Sequence, residues 1–572
     1  MSETTTQKGH PKGLWFLFGT EMWERFGYYL MLGIFSLYMI DGWNNGGMGF
    51  DAVKKSDIYG TYLGLVYLTP FIGGLLADRV LGYRRSIVMG GLMMACGYFL
   101  LSIHDVTTFF IGLGFIILGN GFFKPNISTL VGNLYSSDDL KDKKDSGYNI
   151  FYMGINIGAF VCNFVAAYMR INFGWNFAFI AAGVGMLIGV VVFLSGTKHI
   201  KPIDVIKPVQ EGDMPTLKIL GLTILPMFVF GILGYLIPNN ILGSDTNDAF
   251  IFGCVPVIAF FIYLWFKSSG LEKRAIGALL AVFSCVILFF AIFHQNGDAL
   301  TVWAEEYTDR EMPESVANVA TKFDMAQTVV NNDIVALGDK EFAAKINEMR
   351  AATEAMPEVS AEEIAAKKDS AKEVAKLESS RKYFHNLPAD KVPAKGSDLK
   401  LFSTELYQSI NPFWVVLLTP VLVGVWGALR KKKKEPSTPT KIAIGLLITA
   451  LSALVMVGAV YATNDLSMKA SSWWLLASYG VITLGELCLS PMGLSLVSKL
   501  SPPRITALMM GGFFLSISVG NKLAGMLSSL WETMEQKENF FFLNFALVLA
   551  AALLLFLMLK WLNKVMKENN VY

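Results

Sequence analysis

The chain is poor in charge. Of its 572 residues only 16% are Asp, Glu, Lys or Arg, against 53% hydrophobic, and the mean hydropathy is +0.47. A soluble domain carries about a quarter charged residues, so an ordinary cytosolic enzyme is excluded, as is a disordered or fibrous chain. Cysteine is scarce as well. Cys96, Cys162, Cys254, Cys285 and Cys488 sit inside apolar stretches at unrelated spacings, which excludes a disulfide framework or a zinc site on spacing and leaves packing thiols. Neither charge sign is in excess, with a net charge of +2, and there is no basic tail, so nothing points to nucleic acid. The polar run Met1–Gly13 leads straight into a charge-bearing apolar stretch without a cleavage-site pattern, which predicts a retained first span rather than a signal peptide.

Long apolar runs are abundant. A transmembrane helix needs about 20 mostly apolar residues, and fourteen such stretches can be parsed, at 14–40, 57–77, 86–103, 108–130, 148–170, 175–195, 217–238, 249–267, 274–297, 411–430, 440–462, 472–498, 504–530 and 540–562. An all-α polytopic membrane protein is expected. Cations gather in alternate short loops: Arg79, Arg84 and Arg85; Lys141, Lys143 and Lys144; the run from Arg430 to Lys434; Lys499 and Arg504; Lys560, Lys564 and Lys567. Cytoplasmic loops collect Lys and Arg, so both termini are expected inside. One segment breaks the pattern. Between Thr301 and Lys400 lie 19 Asp and Glu and 14 Lys and Arg, in an Ala-, Glu- and Lys-rich sequence with opposite charges four apart that predicts exposed helices. It falls outside the membrane and reads as a small helical cap, a partner-binding element or a dispensable appendage.

Ionisable side chains within spans cost roughly 2.5–3.5 kcal/mol at the bilayer centre and call for a functional hypothesis. Among them are Glu21, Glu24 and Arg25 in the first span, Lys124 in the fourth, His294 and Asp298 at the end of 274–297, and Glu486 in 472–498. Setting aside the pair 217–238 and 249–267, the spans that carry these charges are numbers 1, 4, 7 and 10 of twelve. Three-helix repeats around a central transport cavity have that period. Glu21 and Arg25, Glu24 and Tyr28, and Arg25 and Tyr29 are each four apart, making one polar stripe on a helix. Carboxylates that compete for one cation, or lose it, take up a proton more easily, which is the chemistry a proton-coupled step needs. Lys124 precedes Pro125, which frees a backbone carbonyl and suits a helix facing protein or a cavity. Arg25 and Lys124 on one side and Glu486 on the other suit a zwitterion such as a peptide or an amino acid. The motif Gly74–Arg85, with Asp78, Arg79, Arg84 and Arg85, suits gating and assembly.

These residues, taken together, resemble the proton-dependent oligopeptide transporter family (POT/PTR2) of the major facilitator superfamily. The resemblance is carried by ExxERFxYY at Glu21–Tyr29, GGxLADxxLGxRR at Gly73–Arg85, NGxFKPNIS at Asn120–Ser128, FYxxINxG at Phe151–Gly158, NPFW at Asn411–Trp414, GELxLSPxGLSxxxKLSP at Gly485–Pro502 and GNxxAG at Gly520–Gly525. It covers nearly the whole chain except 301–400. It implies proton-driven import of di- and tripeptides across the plasma (bacterial inner) membrane by symport, with no enzyme activity, cofactor or metal, and with peptides, protons and the lipid bilayer as partners. It also implies the major facilitator fold: 1–197 as one six-helix bundle, 198–270 as a linker with two extra helices, 271–298 and 411–572 as the second bundle, and 299–410 as the insertion. Position by position, Glu21, Glu24 and Arg25 resemble the proton-coupling cluster, and Lys124 the lysine that contacts both a carboxylate and the peptide C-terminus. Glu486 and Asn156, supported by Asn411, resemble the site for the peptide N-terminus. Tyr28, Tyr29 and Tyr67 resemble the tyrosines that hydrogen-bond the peptide. Two positions depart from the pattern. His294 stands where the family commonly has an acid that pairs with the span-1 arginine, so Asp298 is expected to supply that gate charge, with His294 either titrating near neutral pH or simply hydrogen-bonding. Phe513 replaces a common tryptophan, which leaves the side-chain pocket open.

Three other readings stay in view. A related carrier could take another small anion or zwitterion, and competition by dipeptides separates that from peptide transport. A receptor or scaffold built on the insertion predicts that deleting 301–400 abolishes function while Lys124→Ala is silent. An intramembrane hydrolase needs a nucleophile–base pair or a His/Glu metal spacing, and the spans carry neither.

Overall fold

Each apolar stretch becomes a helix in a computed structural model of the chain, usually longer than the stretch itself because polar residues cap its ends. Described are residues 9–137, 140, 143–204, 216–357, 360–502 and 505–569. The helices of the first half are α1 Lys12–Ile40, α2 Ala52–Leu76, α3 Tyr83–Leu101, α4 Val106–Leu134, α5 Lys144–Phe173 and α6 Trp175–Ser195. Two more, α7 Thr216–Tyr235 and α8 Asp245–Lys267, pair with each other before α9 Gly270–Phe293. Asp51 caps α2 by accepting from the Lys54 amide, so that helix starts five residues before the expected 57; Asp105 and Ser244 cap α4 and α8 in the same way. Among the described helices eleven are long and apolar enough to cross a membrane; α1, α3 and α7 form at the other three expected stretches without reaching that measure. The protein is a multi-pass membrane protein.

Helices α1–α6 share one core, in which Leu30, Phe35, Tyr38, Ile116 and Phe179 are buried together. Glycines set the closest approaches. Pro125 leaves the Gly121 carbonyl without its helical partner, and α2 closes onto that oxygen at Gly73, where any Cβ would overlap it. The second bundle joins α9 to later helices, with Val286, Phe289, Leu446 and Val548 in its core.

The chain after α9 turns through His294–Gly297 and continues as α10 Ala299–Glu306. This helix buries Trp303 against Trp531 and Phe541 of the second bundle. The structure therefore assigns α10 to the bundle, and the separate domain begins later than the expected 299, because Ala299–Ala304 is apolar and packs inward. That domain contains β1 Thr308–Asp309, α11 Glu314–Lys322, β2 Gln327–Val330, the helices α12 Asp339–Glu354 and α13 Ala361–Phe384, and β3 Asp398–Leu401. Ser360 and Glu363 form a capping box that starts α13. Strands β2 and β3 pair antiparallel, and Val335, Ile346, Val374 and Leu377 fill a small core beside them. The remaining helices are α14 Ile410–Lys431, α15 Thr438–Ala462, α16 Ser472–Leu500, α17 Thr506–Thr533 and α18 Lys537–Glu568, with β4 Ala470–Ser471 pairing in parallel with β1.

The domain rests on both bundles. Asn45, between α1 and α2, bonds Glu378 and Arg350, and Asn172 of α5 donates to the Asp324 carbonyl. On the second bundle Lys469 donates from Nζ to the Glu306 carbonyl and from its amide to Asn386. Of the cations used to orient the chain, Lys141 and Arg504 lie outside the described residues, as does the side chain of Lys144.

Candidate functional site

The two bundles meet along α2 and α17 and enclose a cavity of about 1830 Å³. Its floor reaches residues at the helix ends on the side of the chain termini, among them Leu75, Glu272 and Ile505, while Tyr59, Asn296 and Gly297 line its opposite end. Contacts between the bundles close it on the side of the inserted domain.

One wall is α1. Glu21, Glu24 and Arg25 are all buried there, because α6 brings Gly185 and Gly189 against Phe26 and Trp23 on the apolar face of α1 and leaves the polar stripe inward. Glu24 takes two bonds from the Arg25 guanidinium, one from Nε and one from Nη2 at 2.6 Å. Glu21 stands 3.4 Å from Nε through one oxygen, and its other oxygen has no hydrogen-bond partner among the described residues. Arg25 also lies over the Tyr28 ring at 4.8 Å. Glu21 and Arg25 line the cavity; Glu24 sits behind them. Buried ion pairs hold together only when geometry and further bonds offset desolvation. Here Glu24 has that geometry and Glu21 has less of it.

Lys124 projects from α4 into the same cavity, its ammonium 4.1 Å from the centre of the Tyr67 ring. Among the described residues it makes no ion pair, so none of them supplies the close carboxylate partner that a lone intramembrane lysine calls for. Across the cavity on α16, Glu486 accepts from Asn411 at 3.0 Å, and Asn411 also donates to Thr483. The surrounding wall is aromatic. Phe513 of α17 packs on Phe283 and Phe290, with centroids 5.8 and 6.4 Å apart. His294 stacks on Phe290 and meets Tyr67 edge-on, with Nδ1 bonded to the Phe290 carbonyl. Among the described residues it has no acidic partner.

Of the residues singled out in the sequence, the fold brings Glu21, Arg25, Tyr28, Tyr29, Tyr67, Lys124, Asn156, His294, Asn411, Glu486 and Phe513 to one cavity. Asp298 is elsewhere. It is buried above the cavity, and it pairs with Lys55 of α2 at 2.5 Å and accepts from Ser36, not with the expected Arg25. The side chains of Asp78 and Arg79 lie outside the described residues. Arg84 and Arg85 are in the first turn of α3, where Asp204 accepts from the Tyr83 and Arg84 amides.

Sequence reasoning missed the closure on the inserted-domain side. Besides Lys55–Asp298 it uses Asp57 with Lys522 at 2.5 Å and a pair of half-buried Arg170 with buried Glu405, which Ser403 supports. Lys55 precedes the expected span and Asp57 is its first residue, so neither is counted among the charges within spans. The signal that could have placed them was Asp51, whose capping position puts both within the helix.

The sequence pattern of the POT family matches residues 84–330 and 400–543. The chain is 30% identical to a protein named "Uncharacterized transporter YclF" from Bacillus subtilis (strain 168), over 92% of this chain and 90% of that one. It is 28% identical to a di-/tripeptide transporter from Lactococcus lactis subsp. lactis (strain IL1403), covering 98% and 97%. Among solved structures, peptide transporter POT in complex with sulfate superposes with a TM-score of 0.73 at 28% identity, over 98% of this chain and 97% of that one. A POT family transporter in complex with 5-aminolevulinic acid gives 0.72 at 25% identity, over 98% of each.

Proposed function

The chain belongs to the POT family, and from that premise we propose that it is a peptide transporter that carries di- and tripeptides into the cell together with protons. The observation that carries this reading is the polarity of the cavity. Arg25 and Lys124 stand on the first bundle and Glu486 on the second, all open to one space. A peptide backbone ends in one carboxylate and one ammonium. Its carboxylate fits Lys124, which has no ion-pair partner among the described residues, and its ammonium fits Glu486, whose neighbours are neutral amide and hydroxyl groups.

Coupling then follows from α1. A substrate carboxylate that draws on Arg25 and Lys124 competes with Glu21, the acid that the guanidinium holds least, and Glu21 is where the coupled proton is held. Asp298 takes the part of the acid that His294 replaces. Protonating it releases Lys55, and the halves can part on the far side. A proton can drive transport only by changing which contacts bridge the two states. Glu24, bonded twice to Arg25, keeps the arginine in place. The membrane is the bacterial inner membrane with both termini cytoplasmic, and the cavity opens inward. No cofactor enters the cycle, which moves solute without covalent chemistry.

Uptake of a labelled dipeptide into proteoliposomes, with and without an imposed inward proton gradient, tests this. Accumulation that needs the gradient in the parent and is lost in Glu21→Gln supports it. A folded protein that neither accumulates nor exchanges peptide overturns it. The structural relative holding 5-aminolevulinic acid makes a small amino acid the second substrate class. Mutual competition between it and the dipeptide decides which is preferred.

A further inference from the structure

Helices α7 and α8 lie between the two six-helix sets in the chain; the last turn of α8 touches the cavity through Leu264 and Lys267, and its first turn reaches the closed end of the transporter. Three helices meet there. Asp57 of α2 accepts from Lys522 of α17 at 2.5 Å, and the same ammonium donates to Thr61 at 2.5 Å. The second Asp57 oxygen accepts from the hydroxyl of Thr246, which is in the first turn of α8. One turn further on, Phe250 of α8 fills the space over Gly64 of α2, where a Cβ would come within 2.7 Å of its ring. On the other side of the seam Ser518 and Asn521 of α17 donate to the Gly64 and Leu63 carbonyls. Toward the termini, α8 leans on α17 instead, with Phe261 against Gly512.

Opening the cavity toward the inserted-domain side requires α2 and α17 to separate at this point. Lys522 is completely buried, so parting it from Asp57 leaves both charges to find water. Because Asp57 is held from behind by Thr246, its carboxylate cannot follow Lys522. We propose that α8 is a working part of the outer gate, with Thr246 as a positioning residue that fixes Asp57 for Lys522 and so favours the state closed on the inserted-domain side. The inference rests on the transporter reading for its meaning, since a gate matters only if the cavity alternates.

The test is the rate at which a membrane-impermeant maleimide, added on the inserted-domain side, reacts with a cysteine placed at the cavity-lining Leu32, in a Cys96→Ser background. That rate scales with the open fraction. The chain lacking Leu32→Cys supplies the blank. A hydrogen bond to a charged group is at stake, so Thr246→Val should raise the rate about tenfold. Lys522→Met should raise it at least as much, and Thr246→Ser, which keeps the hydroxyl, should leave it at the parent value. If Lys522→Met raises the rate and Thr246→Val does not, the pair gates without α8 and the proposal fails. If neither moves it, the proposal fails at the pair itself. The assay uses no peptide: a chain that shows the shift but carries no dipeptide would sink the proposed substrate and leave the gate standing.

Discussion

Lys55 and Asp298 form an ion pair between the two bundles with both side chains buried. It joins α2 to the turn between α9 and α10 at the end of the cavity away from the chain termini. Removing one partner of a buried pair leaves the other uncompensated, at a cost of about 3–5 kcal/mol, whereas removing both costs far less. Asp298→Asn and Lys55→Met should therefore each lower gradient-driven uptake at least tenfold by destabilising the closed state, and the double variant should recover much of the loss. Uptake unchanged in Asp298→Asn would show that this pair is not the gate.

The two poles of the cavity predict a chemical dissection. If Lys124 meets the peptide carboxylate, Lys124→Ala should lose affinity for a dipeptide while hardly changing affinity for its C-terminal amide. Glu486→Gln should likewise lose affinity for the dipeptide while hardly changing affinity for its N-acetylated form, for which the parent already lacks an ion pair. Loss of one charge-assisted contact is worth about 1.5–3 kcal/mol, or roughly tenfold to a hundredfold in competition constant. Equal effects of both substitutions on all three ligands would remove the assignment of ends.

Gly73 faces the carbonyl that Pro125 frees on α4, so Gly73→Ala has nowhere to put its methyl group. Overpacking a tight helix crossing typically costs about 1–3 kcal/mol. A lower unfolding temperature in detergent is expected, together with reduced uptake, because Lys124 sits one residue before that proline. An unchanged melting temperature would mean that α2 and α4 can part at this crossing without loss.

The spanning helices were legible because bilayer thickness and backbone satisfaction leave the sequence little choice. The cavity wall was legible for a related reason: a charge such as Glu21, Lys124 or Glu486 cannot face lipid. Lys55 and Asp57 were not. They sit where the span meets water, and only the opposite bundle's Asp298 and Lys522 bury them, a relation between residues hundreds of positions apart. The resemblance to the family pointed to Arg25 as the partner of the span-7 acid. It could not reveal that moving the acid from position 294 to 298 hands it to another helix. The inserted domain was half legible. Its charge pattern implied the helices α12 and α13, while β2 and β3, four residues each and separated by most of the domain, carried too short an alternation to stand out.

The junction of that domain with the second bundle should depend on pH. Lys469 lies in the connection between α15 and α16, nearly inaccessible, with its ammonium over the Tyr383 ring at 4.6 Å and donating to the Glu306 carbonyl. Burial, reinforced by the neighbouring Arg310 cation, pulls it down from the usual lysine range to about 7, although Glu305, Asp309 and Glu306 act the other way. In the unfolded chain the ammonium keeps its proton up to about pH 10.4. Between those two values the unfolded form binds more protons than the folded one, so stability rises with pH across that window and is at its lowest below about 7. Hydrogen exchange of the Lys469–Ser471 and Asn386 amides, corrected for intrinsic rates, should slow between pH 6.5 and 9. Lys469→Met cannot change charge there, so its exchange should be flat across the same interval and slower than the parent's at pH 6.5. A parent that shows no pH dependence, or a variant that shows the same one, would mean that the ammonium is satisfied where it lies by the Glu306 carbonyl and the Tyr383 ring, and that burial there carries no linkage to pH.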